Sequence, residues 1–268
     1  MYPPLILMPI WMPPSMKNPT PPPSLPPAPE KAQFVQQGFN QIAQCYDRLN
    51  DCMTAGLHRG WKREAVRRLH CGPDAVILDL CTGTGDIAGY AAEQLHESGG
   101  VAALDFAMEM MKAGRSREHS SPKVQWVCGD ALTLPFGAST FDGATVGFGL
   151  RNVTDLPCAL REVWRVLKPG AWLVNLDTAA SPWRILLPFY RFHMNQVVPR
   201  LGRWLAGSPE MYSYLAHSAA AFDAPRHLEN RFAEAGFIAT GHAYRPPGLG
   251  GAALVWGQKP HDEAGTQT

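Results

Sequence analysis

The sequence predicts a doubly wound α/β domain on a seven-stranded, mostly parallel sheet, with an insertion after the fifth strand that forms a lid. Short apolar runs rich in Val, Ile, Leu and Ala recur from residue 76 onward, with the length and composition of buried parallel strands. The first run opens directly into a glycine turn, and helix-length segments separate its successors. A chain of 268 residues with 46% hydrophobic content buries one sizeable core rather than two once its N-terminal tail is set aside.

The elements follow in order. The first thirty residues hold 12 of the 25 prolines, which forbids a helix or a regular central strand, so residues 1–33 read as a disordered, polyproline-like tail. Its apolar stretch, residues 5–12, lacks a basic flank and is broken by proline, which makes a poor signal peptide; a start nearer Met16 accounts for the tail equally well. The domain spans 34–258, with 259–268 as a disordered C-terminal tail. Phe39, Ile42, Ala43 and Tyr46 fall at helical spacing, predicting a helix that packs on its apolar positions and turns Tyr46 toward the site. Strands follow at 76–80, at the run ending in Asp105, at 124–128 and at 141–148. A helix through Arg161 stops at Lys168-Pro169-Gly170, and the fifth strand starts at Ala171. The insertion runs from Pro182 to Leu205. A helix at 224–235 and strands at 238–244 and 252–257 close the domain, the strands joined by a Pro- and Gly-rich turn.

The glycine turn carries most of the functional information. Residues 76 to 86 read Val-Ile-Leu-Asp-Leu-Cys-Thr-Gly-Thr-Gly-Asp, a Rossmann-like strand-to-turn junction in which Gly83 and Gly85 allow a close approach to a ligand. Gly83 to Ala88 also satisfies the dinucleotide pattern, so a NAD-binding dehydrogenase or a non-catalytic nucleotide-binding scaffold stays open. Asp79 at the strand end favours a cationic ligand over a pyrophosphate. S-adenosylmethionine, with its sulfonium and ammonium groups, suits a turn flanked by Asp79 and Asp86. Asp105 is placed to accept from ribose hydroxyls, and Asp130 from an adenine amino group.

A formal charge of +1 provides no field for nucleic acid phosphates. Six cysteines without a Cys-x-x-Cys pair point to a reduced, cytoplasmic setting, and Cys81 and Cys128 read as small buried residues. No run reaches the roughly twenty apolar residues that span a bilayer.

Several segments together resemble the demethylmenaquinone and 2-polyprenyl-methoxybenzoquinol C-methyltransferases, class I S-adenosylmethionine-dependent enzymes. They are residues 39–50, Gly56 to Arg63 with its His-Arg-Gly-Trp-Lys core, Gly83 to Asp86, Gly129-Asp130-Ala131 with Leu134-Pro135-Phe136, and Phe148-Gly-Leu-Arg-Asn-Val153. Tyr212 to Leu215 and Ala235-Gly236-Phe237 continue the match, which covers 34 to 258. The resemblance implies that Thr84, Asp105, Asp130, Ala131 and Gly147 line the cofactor site. Gly147 stands where the family has a small hydroxyl residue, and Asp177-Thr178-Ala179 replaces the usual Glu-Phe-Ser.

The implied reaction is methyl transfer to a ring carbon of a lipophilic prenylated quinol, a demethylnaphthoquinol in the first place and a benzoquinol in the second. That chemistry requires no metal, only alignment, exclusion of water and help with a phenolic proton. Arg151 is placed to stabilise a phenolate and Asn152 to bond the second oxygen, or else both pin their loop to backbone carbonyls. His58 has the intrinsic pKa of a base, or serves as a structural hydrogen bonder. Tyr46 completes the candidate catalytic set. The aromatic and Arg-containing insertion suits peripheral contact with an anionic membrane, or packs on the domain as a helical pair. A homodimer stays open.

Overall fold

The computed structural model describes residues 28–117, 121–180, 183–201, 209–245 and 251–262. Its centre is a seven-stranded sheet in the order β3-β2-β1-β4-β5-β7-β6. The strands are β1 (Val76–Leu80), β2 (Gly100–Asp105), β3 (Val124–Cys128), β4 (Phe141–Gly147), β5 (Leu167–Thr178), β6 (Ile238–Arg245) and β7 (Ala252–Gln258). The first five run parallel and β7 runs antiparallel between β5 and β6. Strand order reverses at β1, between β2 and β4, which is where open α/β sheets form a crevice beyond their carboxyl ends.

Helices cover both faces because the strands are apolar on both. On one face α3 (Leu57–Arg67) and α4 (Asp86–Ala92) pack Trp61, Ala65, Ile87 and Ala91 against Val174, Leu176 and Leu254. On the other, α6 (Leu156–Val166) and a C-terminal helix at Pro225–Glu234 bring Leu160, Val163, Leu228 and Phe232 onto Leu78, Leu80 and Leu173. A third layer joins α1 (Ala28–Ile42), α2 (Tyr46–Thr54), α5 (Met108–Arg115) and α8 (Pro209–Ala221) through Val35, Ile42, Leu49, Met110 and Tyr212. After β5 the insertion makes a 3-10 turn (Arg184–Leu186), α7 (Leu187–Phe192) and a π-helical turn (His193–Val197); the Pro225–Glu234 helix is α9.

Four expectations shift. Helix α1 begins at Ala28, inside the stretch assigned to the tail, because a proline such as Pro29 fits the first helical turn, where no amide needs an internal partner. Phe39 to Tyr46 is not one helix: the chain turns at Ala43 and Tyr46 opens α2. Lys168-Pro169-Gly170 does not end a helix but lies inside β5, next to a register shift between Phe141 and Gly143, an irregularity that tolerates proline; Gly170 has φ +81°. Lys259 belongs to the fold rather than to a tail, with Nζ donating to the carbonyls of Trp164 and Leu167 at 2.9 and 2.7 Å. The 246–250 turn and residues 181–182 and 202–208 of the insertion lie outside the described residues, as do residues 1–27 and 263–268 of the two tails.

Candidate active site

Beyond the carboxyl ends of β1, β2 and β4 the chain encloses two neighbouring spaces. The first is a cleft whose two lobes, of about 480 and 370 Å³, share Cys81, Asp105, Phe106, Gly149 and Asn152. Gly83 and Gly147 line one lobe, Asp130 and Ala131 the other. Gly83 has φ +58° and Gly85 φ +78°, conformations glycine adopts without steric cost. A Cβ on Gly85 would lie 2.3 Å from Trp126, and one on Gly147 2.4 Å from Ile87. A side chain in the place of Gly147 would therefore have to push aside the tip of the Ile87 side chain on α4.

Asp105 ends β2 at 6% exposure and accepts from the amides of Gly83 and Ala107, each at 2.8 Å. These bonds engage one oxygen apiece and leave lone pairs free for a vicinal diol. Burial pushes its carboxyl up, against the pull of those amides. Asp130 is exposed and holds the turn after β3 through the Leu132 amide at 2.9 Å. A carboxylate beside a glycine turn with an apolar floor at Leu104 and Ala131 suits an adenosine-bearing ligand.

Four cofactor expectations change. Asp79 does not reach the cleft: at 1% exposure it accepts from Thr82 Oγ1 at 2.5 Å, Thr145 Oγ1 at 2.8 Å and the Ala88 amide at 3.1 Å, tying β1 to β4 and α4. Burial pushes its carboxyl up to about 6, against those three bonds. Thr84, 3% exposed, donates to Asp47 Oδ1 at 2.7 Å instead of facing a ligand. Gly85 gives room to Trp126 and lines neither lobe. Asp86 is also committed elsewhere, bonded by Lys62 at 2.7 Å and Arg117 at 2.6 Å; burial would raise its carboxyl, but these two cations hold it well below the usual range. Arg117 bonds Asp47 as well, so one network joins α2, α3, α4 and the end of α5. A carboxylate at a strand end looks alike in sequence whether it meets a ligand or its own fold.

The second space, of about 660 Å³, is mostly apolar. Helix α2 lines it with Tyr46, Asn50, Met53 and Thr54, spaced along one helical face, and α3 adds His58 and Trp61. Tyr46 and Phe148 line both this cavity and the cleft, so the two spaces meet there. Arg151 enters from the 3-10 turn after β4 and donates to Asp177 Oδ1 at 2.5 Å, with Nε unpartnered among the described residues. Burial opposes its charge and Asp177 overrides that, so the guanidinium stays ionised.

His58 is 1% exposed, with Nε2 3.0 Å from Asp51 Oδ1. Burial, aided by Lys62, pushes its pKa down and keeps it neutral near pH 7. Asn152 takes the alternative role, donating to the Phe148 carbonyl at 3.2 Å and accepting from the Tyr214 hydroxyl at 3.3 Å, and it lines the cleft rather than the cavity. Tyr46, His58 and Arg151 are thus brought together and Asn152 is set beside them. Sequence reasoning missed Phe148 and His193. Phe148 turns into the site through φ +58°, and His193 sits in a π-helical turn for which no pattern in the sequence speaks.

Relatives of this chain agree with the geometry. The demethylmenaquinone methyltransferase of Desulfitobacterium hafniense is 38% identical over 234 residues, 86% of this chain and 92% of that protein. The 2-phytyl-1,4-naphtoquinone methyltransferase of Thermosynechococcus vestitus is 41% identical over 82% of this chain and 96% of its own. The ubiquinone/menaquinone biosynthesis C-methyltransferase UbiE of Rubrivivax gelatinosus is 39% identical over 78% and 80%. Among solved structures, a SAM-dependent methyltransferase from Aquifex aeolicus has the same fold at 17% identity and TM-score 0.53, covering 74% of this chain and 88% of that one. The ubiE/COQ5 methyltransferase family pattern matches residues 28–259, from the start of α1 to Lys259, and the chain belongs to that family of methyltransferases.

Proposed function

We propose that this protein uses S-adenosylmethionine to methylate a ring carbon of a prenylated naphthoquinol. The observation that carries the reading is the junction at Tyr46 and Phe148, where a cleft fit for an adenosine-bearing ligand meets an apolar cavity holding one buried guanidinium. S-adenosylmethionine supplies, when bound, an electrophilic methyl group on a positively charged sulfur. Asp105 accepts from the ribose hydroxyls with its remaining lone pairs, while Gly83 lets the backbone approach and Asp130 and Ala131 bound the adenine side. Arg151 stabilises the phenolate oxygen as it gains charge, in a space where water is excluded and the interaction is correspondingly strong. His58, held neutral, accepts the hydroxyl proton at Nδ1 while Asp51 steadies the other side of its ring.

The insertion supports a peripheral membrane setting for such a lipophilic substrate. Trp183, Ile185, Phe189 and Phe192 are 59–79% exposed, and residues 183–201 carry three arginines and no acid. No helix among the described residues is long and apolar enough to cross a membrane.

The test is transfer of label from S-adenosylmethionine to a demethylnaphthoquinol and, separately, to a polyprenyl methoxybenzoquinol, both kept reduced in detergent. Product from the naphthoquinol alone is expected. Product from the benzoquinol alone would move the enzyme to the ubiquinone branch, and product from neither would refute the quinol reading.

A further inference from the structure

A third space, of about 1040 Å³, lies between the insertion, α8 and the start of α9. Thr178 at the end of β5 and Met194 in the insertion line both this space and the ring cavity, so the two meet there. Along one wall Leu187, Tyr190, Arg191, Met194 and Asn195 recur at i, i+3, i+4, i+7 and i+8, the spacing of a single helical face. The facing wall is α8, whose Ala216, Ala219 and Ala220 fill little of the gap. Among the described residues only two lining the space are charged: Arg191 is exposed, and Asp223 stands 3.6 Å from Arg231 of α9. Helix α7 itself is unusual. Five of its six residues are apolar or aromatic, yet none is buried. Leu187 and Tyr190 turn to the space, while Phe189 and Phe192 lie on the opposite face and are exposed. An apolar helix with a hollow on one side has surface that an apolar ligand can cover.

We propose that this space takes the isoprenoid tail of the substrate, which leaves the ring cavity past Thr178 and Met194 and runs between α7 and α8. The inference rests on the prenylated quinol reading above. A ring bearing a long hydrocarbon chain needs a path out of its cavity, with apolar walls, room for methyl branches and no enclosed charge to strip of water. The third space meets each requirement. The cofactor cleft, which also adjoins the ring cavity, does not, because Asp105 and Asp130 line it and the methyl donor fills it. A tail in the third space covers the inner face of α7 and leaves Phe189 and Phe192 outside, so the helix stands between the bound chain and the bilayer. Leu187 and Ala219, half-buried on opposite walls, are therefore specificity residues for the tail, and neither lines the ring cavity.

The experiment measures dissociation constants by equilibrium dialysis, without detergent, in the dead-end complex with S-adenosylhomocysteine. The probes are three naphthoquinols held reduced, carrying no tail, one isoprene unit and two. In the wild-type protein each unit is expected to tighten binding at least about tenfold, since every buried methylene is worth about fourfold. L187W and A219W each push an indole into the space, from opposite walls, and should cut the gain from two units at least about tenfold. F189S, on the outer face of α7, should keep the full gain. The wild-type series needs no variant and stands if a tryptophan variant fails to fold. Three affinities that agree within about twofold would overturn the inference. So would L187W and A219W with the full gain, which would send the tail by another route, or F189S with a loss equal to theirs, which would put it on the outer face. Methyl transfer to the same quinols by the wild-type protein reports separately on the substrate reading: transfer without any effect of tail length removes the tail path alone.

Discussion

Replacing Asp177 by alanine isolates what the buried ion pair does. Arg151 and Asp177 side chains are 6% and 4% exposed and meet at 2.5 Å, so neither charge has water to fall back on. D177A leaves a guanidinium enclosed against Phe148, whose ring centre is 5.8 Å away, with its carboxylate partner gone. Breaking such a pair from one side costs about 3–5 kcal/mol. A domain has about 5–15 kcal/mol in all, and each kcal/mol moves the melting point of a chain this size by about 2–4 °C. The melting point should therefore fall by about 6–20 °C. Urea unfolding at pH 7 gives the free energy directly, provided its slope stays that of the wild type. R151M/D177L removes both charges and should recover most of the loss, since apolar replacements of a buried pair are often neutral. A D177A loss below about 1 kcal/mol, or a double variant as damaged as D177A, would refute the view that these charges are desolvated.

In the cofactor cleft, D105A should weaken S-adenosylhomocysteine binding at least tenfold by calorimetry, about the value of hydrogen bonds to a charged acceptor, whereas R151A should leave that binding within about twofold and cut turnover about a hundredfold; normal R151A turnover would end its phenolate role. Asp79, raised in the fold to about 6 from 3.8, binds its proton more tightly folded than unfolded. Its contribution to stability is therefore full below about pH 4 and is lost as pH rises to about 6. D79N should lack this decline, so the difference between wild-type and D79N unfolding free energies, followed from pH 4 to 7, should drift by about 2–3 kcal/mol; a flat difference would contradict the shift. Replacing Ile185, Phe189 and Phe192 by serine should abolish co-sedimentation with anionic vesicles, each buried side chain being worth about 1.5–3 kcal/mol, and unchanged co-sedimentation would exclude this face as the contact.

Much of the fold was legible because parallel strands announce themselves. Ile77, Leu78 and Leu80 must be apolar to lie under helices on both faces, and Gly83 must be glycine to turn with positive φ. The errors come from residues with two physical uses. Pro169 and Gly170 end helices as readily as they sit at a strand irregularity, and Pro29 begins a helix as readily as it disrupts one. Asp79, Thr84 and Asp86 look like ligand contacts because such contacts occur at strand ends, yet three-dimensional neighbours hundreds of atoms away along the chain claim them. Arg151 and Asp177 were each noted in the sequence, but their pairing across 26 positions was not legible until β4 and β5 lay side by side. His193 joined the site only because an insertion folded back over α2.

The ammonium of Lys31 has a bearing on where this chain can be cut. It reaches from α1 to the carbonyls of Arg151 and Val153 at 3.1 and 2.9 Å, closing the turn that presents the guanidinium, while neighbouring Ala32 forms part of the cleft wall. Trimming the protein to begin at Phe34, the boundary that proline content suggests, would spare the sheet, both helical faces and most of the third layer. The shortened protein would pass for folded in any bulk measurement and still lack the peg that fixes its substrate turn. A protease that clips among the early prolines leaves that peg in place, whereas one that cuts just after Lys31, four residues into α1, removes it.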